Sequence, residues 1–124
     1  MPHLVLQGTV PAQRAAAGLA PRVVRWGRAV IKTGDRWNRA GDGALLVEGV
    51  VVELGRPLHP VALVAEREGD TVVRLWPLVE VERTAAVQRF LCVVALGLQT
   101  LGCGPVRTTN ITGEALTGLG LEIG

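Results

Sequence analysis

A chain of 124 residues has the length of one domain and can bury about two-thirds of its unfolded surface, so neither a disulfide nor a metal is needed to hold it together. Hydrophobic residues make up 48% of it and charged residues 19%, which excludes global disorder and points to a well-covered core or a buried subunit contact. The net charge of +2 hides an uneven distribution: residues 1–42 carry seven basic side chains against Asp35 and Asp42, while the remainder carries six against nine acidic ones, an asymmetry that fits an anionic partner or self-association between unlike faces.

The chain begins with His3 to Thr9, which alternates weakly and reads as a strand, with a sheet edge as one option for it. Pro11 opens an alanine-rich stretch, interrupted at Gly18 and Pro21, that is long enough for two helical turns. From Pro21 to Thr33 propensity and period disagree. Val23, Val24, Trp26, Val30 and Ile31 favour a strand, whereas Arg22, Arg25, Arg28 and Lys32 recur at helical spacing. The valine pairs and Gly27 tip the reading toward strand. Residues 34–43 hold three glycines and two aspartates and read as a loop.

Residues 44–76 read as an antiparallel meander. Leu45 to Val52 is apolar except for Glu48 and Gly49, as suits a central strand covered on both faces. Gly55 and Pro57 break the ladder, and Pro60 stiffens the loop that follows. Val61 to Glu66 and Thr71 to Trp76 flank Arg67-Glu68-Gly69-Asp70, a hairpin signal, with Glu66 and Arg74 facing solvent. Thr84 is a candidate N-cap for a helix over residues 84–101, closed by Gly102. Val87, Leu91, Val94, Leu98 and Leu101 form one apolar stripe and Ala86, Phe90, Val93 and Gly97 a second; Gln88, Arg89, Gln99 and Thr100 read as its wet positions. A single sheet cannot shelter both stripes, so the first forty residues or a second copy must cover the rest. Val106 to Thr112 reads as a strand and the tail as a short strand or turn.

The expected fold is therefore a single α+β domain over 1–124: an antiparallel β-sheet, with the meander 44–76 plus N- and C-terminal strands, and one long α-helix of about 84–101 packed on it. The longest apolar run, Phe90 to Leu98, is nine residues, against about 20 for a membrane span, and the first residues lack the features of a signal peptide. The expectation is a cytoplasmic protein with no membrane partner.

Few chemistries have the residues they need. No serine occurs, which excludes a serine nucleophile. Cys92 lies among aliphatic residues, and Cys103 stands at the end of a helix whose dipole disfavours a thiolate; both are expected to stay reduced. Two cysteines with the distant His3 and His59 match no zinc spacing, and no phosphate-binding glycine loop is present, so no metal or cofactor is expected. His59, between Pro57 and Pro60, is the one position for a small catalytic site. Glu66, Glu68 and Asp70 read as solvated hairpin carboxylates.

The functional expectation is a non-enzymatic binding or assembly protein acting as a homo-oligomer, a homodimer formed through the helix at Phe90, Val93 and Gly97 or through a sheet edge. The alternative is nucleic-acid binding: Arg22, Arg25, Arg28, Lys32, Arg36 and Arg39 could neutralise phosphates and Trp37 could stack on a base. An enzyme with its site near His59 is the third reading.

Overall fold

The hairpins of this chain follow from its turn residues. In the computed structural model, which describes residues 1–124, Glu68 and Gly69 both take positive φ, 52° and 83°. That geometry matches the right-handed twist of flanking strands, and it joins β6 (Val61–Arg67) to β7 (Asp70–Leu75). β4 (Leu45–Glu53) pairs with β6 on one side and β3 (Ala29–Asn38) on the other. β2 (Arg22–Trp26) pairs with β3. Beyond β7 come β1 (His3–Leu6) and then β8 (Val106–Thr109). The order β2-β3-β4-β6-β7-β1-β8 is antiparallel throughout, and β5 (Arg56–Leu58) pairs with the far end of β4. The α+β class, the antiparallel sheet, the three-strand meander and the strand reading of residues 22–33 hold. β1 is not at an edge, because β8 returns to cover it.

The sheet curls around α2 (Ala85–Thr100), which starts at Thr84, whose hydroxyl accepts from the Val87 amide at 3.2 Å. Thr84→Ala should cost about 1 kcal/mol in urea unfolding, with no loss of fold. Both stripes of α2 are buried: Val87, Leu91, Val94 and Leu98 with Ala86, Phe90 and Val93. The inner sheet face supplies Leu4, Leu6, Ile31, Val47, Val51, Val73 and Leu75 against them. No helix is long and apolar enough to cross a membrane.

Two further helices flank the long one. α1 (Ala12–Gly18) follows Pro11, and α3 (Gly113–Leu116) lies against α2 near the C-terminus. The single helix of the sequence reading is thus corrected, and so is the tail, which contains α3 besides the one bridge from Ile123 to Val106. These segments take up the apolar surface that suggested a second copy. Gly97 lies under Leu19, whose Cδ2 would stand 2.6 Å from an added Cβ. Phe90 and Val93 are sheltered by their own subunit. The helix route to a homodimer therefore finds no support: Phe90 has no exposed surface, and Val93 and Gly97 reach only a cleft beside Leu19.

Arg89 is the other correction on α2. It is only 4% exposed, because its guanidinium turns under α3, where Nη1 donates to the carbonyls of Ala115 and Thr117, and packs over the ring of Trp26, 5.1 Å from its centroid.

Candidate functional site

Residues 34–38 carry the most consequential departure from the expected loop. Their glycine and aspartate serve a β-bulge inside β3: Thr33 pairs with Gly49 and Arg36 with Val47, leaving two residues of β3 opposite Glu48 alone. The Asp35 amide reaches the Glu48 carboxylate at 3.5 Å. One extra residue reverses the in-and-out parity of everything after it. Thr33 and Arg36, three apart, consequently both lie on the inner side, where strict alternation would send Arg36 out.

Arg36 there lines a cleft of about 270 Å³ between the α1–β2 connection, the β2–β3 edge and the second half of α2. Leu19, Val47, Val93 and Val94 make its apolar part, while Arg22, Thr33, Arg36 and Thr100 supply polar groups. Arg36 is half-buried and held by carbonyls: Nε donates to Ala16 O at 3.2 Å and Nη1 to Gly34 O at 3.4 Å. No carboxylate pairs with it or with Arg22; the ion pairs of the chain are Arg39–Asp42, Arg56–Glu82 and Arg107–Asp70.

The seven positions proposed for nucleic acid do not form one track. Arg22 and Arg36 face the inner cleft, and Arg25 and Lys32 belong to the outer face by the β2–β3 register. Arg28 sits at the hairpin turn. Trp37 is on the outer face beside Leu46, 41% exposed. Arg39 is spent on Asp42, whose carboxyl is held down at about 2 by the Arg39 hydrogen bond first and the Ala44 amide second.

The two ends of the sheet differ. At β8 the chain caps its own edge: Val106 N donates to Glu122 O at 2.9 Å, Gly124 N to Val106 O at 3.0 Å, and Arg107 is tied to Asp70 at 2.9 Å. At β2 nothing does. The two-residue turn makes Trp26 and Ala29 a hydrogen-bonded pair, so by antiparallel alternation Val23 and Arg25 turn their amides and carbonyls away from β3. Neither residue takes part in a backbone bond outside the sheet ladders, and Val23 is 65% exposed.

The other candidates stay apart from this region. His59 is exposed and has no hydrogen-bonding partner. Cys92 and Cys103 are free and buried, and burial pushes the Cys92 thiol up to about 12, with Arg89 opposing weakly, so that thiol is protonated and inert at neutral pH. Asp70 is engaged by Arg107 and the Gly8 amide. No group of three His, Cys, Asp or Glu side chains is placed to hold a metal ion. The cleft escaped the sequence reading because its walls come from four separate segments. Comparison of the chain with protein-family models, with curated proteins and with solved structures finds no match.

Proposed function

We propose that this chain is a non-enzymatic binding protein that takes an extended, acidic segment of another protein along the open edge of β2. One contrast carries the reading: the edge at β8 is covered at Val106 by the chain's own tail, whereas β2 offers unpaired backbone groups at Val23 and Arg25 with no segment beside them. An exposed edge is a template for strand addition. Here Arg22, Arg25 and Arg28 line it with no carboxylate beside them, so a strand carrying Glu or Asp gains charge complementarity that fixes register and speeds encounter. A second copy of β2 would gather the Arg22, Arg25 and Arg28 of both chains along one seam with no carboxylate among them, and such crowding of like charge is unfavourable. Nucleic acid would need the arginines on one side, and they are divided between two.

Fluorescence anisotropy with a labelled ten-residue peptide of alternating Glu and Val tests this. The acidic peptide should bind with a micromolar to sub-millimolar Kd that weakens with salt, and its Lys-for-Glu counterpart should not. Val23→Pro deletes only an outward amide, so the β2–β3 pairing survives, and it should abolish binding; Arg25→Glu should weaken it at least tenfold. No binding of the acidic peptide at millimolar concentration would sink the proposal. So would an oligonucleotide that binds in its place, or a concentration-dependent dimer that Val23→Pro dissolves.

A further inference from the structure

The inner cleft is a second feature that shares only Arg22 with the outward edge of β2. We infer that it binds a small monocarboxylate with a short aliphatic tail, the carboxylate between Arg36 and Arg22 and the tail on Val93, Val94 and Leu19.

Three observations converge. The first is the state of Arg36. A half-buried guanidinium has lost much of its water, and two neutral carbonyls compensate it less well than a carboxylate would. Its Nη2 makes no hydrogen bond, although Nε and Nη1 are anchored on Ala16 and Gly34. The fork is thus positioned by the protein through Nε and Nη1, with Nη2 free to donate to a ligand oxygen, which is how a preorganised anion site is built.

The second observation is the bulge at residues 34–35, which alone brings Arg36 to this side of the sheet. Bulges commonly re-aim a side chain next to a site. A plain strand would have placed Asp35 inside and Arg36 in solvent.

The third is the shape and lining. About 270 Å³ lies just under the range of drug-sized ligand pockets, roughly 300–1,000 Å³. That is small for a nucleotide and right for an acid of six to eight carbons. The valines and Leu19 call for an apolar tail, while the Thr33 hydroxyl already accepts from the Arg22 amide at 2.9 Å. The C-terminal dipole of α2 works against an anion, yet the carbonyls of Gly97, Leu98 and Gln99 are occupied. Thr100 Oγ1 donates to Gly97 O, the amides of Leu101 and Cys103 to Leu98 O, and that of Gly102 to Gln99 O. About half a negative charge, already capped, does not outweigh two arginines.

Isothermal titration and amide-shift mapping of the full chain with octanoate, 1-octanol and inorganic phosphate test the inference. Octanoate should saturate one site and move the amides of Thr33, Val94 and Gly97, with affinity rising about fourfold per methylene from butanoate and levelling beyond eight carbons. 1-Octanol and phosphate should each bind at least tenfold more weakly. Arg36→Gln should weaken octanoate at least tenfold. Arg22→Gln, at an exposed position that leaves folding unaffected, should weaken it several-fold. Octanol or phosphate binding as tightly as octanoate, shifts confined to other regions, or undiminished binding by both variants would each overturn it. Peptide capture at β2 is read separately through Arg25→Glu, so either idea can fail alone.

Discussion

In urea titrations, Phe90→Ala is expected to cost the fold about 3–5 kcal/mol, and Gly49→Ala about 1–3 kcal/mol. The two belong to one contact. Phe90 has no exposed surface, and its ring lies directly on the backbone of Gly49, at the centre of β4. A Cβ at Gly49 would stand 2.4 Å from Cε1 and 2.8 Å from Cδ1 and Cζ. β4 is held by β3 and β6 on its two sides, so it cannot yield, and the helix must move instead. Glycine inside a strand often marks such a close approach. Because the residues touch, their effects should not add. In a Phe90→Leu background, Gly49→Ala should be milder by about 0.5–3 kcal/mol, since the smaller side chain leaves room for the methyl. Strict additivity would mean the ring is not seated on β4. The midpoint of wild-type unfolding should also be the same at low and high protein concentration, because no part of α2 waits for a second subunit.

What the sequence made legible is whatever depends on near neighbours. The meander announced itself through apolar β-branched runs and through Arg67-Glu68-Gly69-Asp70, and the long helix through two stripes and the Thr84 cap. The site was not legible in that way. Arg22, Arg25, Arg28 and Lys32 recur at intervals of three and four, which imitates a helix; on the observed hairpin the same spacing scatters them over both faces and the turn. Gly34 and Asp35 looked like turn chemistry and are a bulge. That single inserted residue decides which side Arg36 serves, and nothing local distinguishes a bulge from a loop. Gly97 was read correctly as a place of close approach, with the first forty residues or a second copy as its neighbour, and it is Leu19, far away in sequence, that decides for the former. The missing information in each case is tertiary: which segment returns to cover which face.

Arg89 was the hardest of these to read, and its replacement should be informative. Arg89→Ala is expected to lose about 2–4 kcal/mol, from the buried Ala115 carbonyl and the part-buried Thr117 carbonyl left without a donor at about 1–3 kcal/mol each, the latter reduced where α3 frays to admit water. The cost should be localised. Nη1 links α2 to Ala115 and Thr117, so hydrogen exchange should quicken at Ala115–Thr117 while β4 and β6 keep their protection. The choice of replacement then separates charge from shape. No carboxylate offsets the guanidinium, and its Nε is buried without a partner, so the charge itself carries a desolvation penalty. Contact with the face of Trp26 returns part of it, and an apolar chain of similar length keeps that packing. Arg89→Met should therefore be tolerated better than Arg89→Lys, even though lysine preserves the charge: an ammonium is more strongly hydrated and lacks the planar fork. If Arg89→Lys proves the milder change in urea unfolding, the positive charge is what α3 needs there, and the packing account of this arginine is wrong.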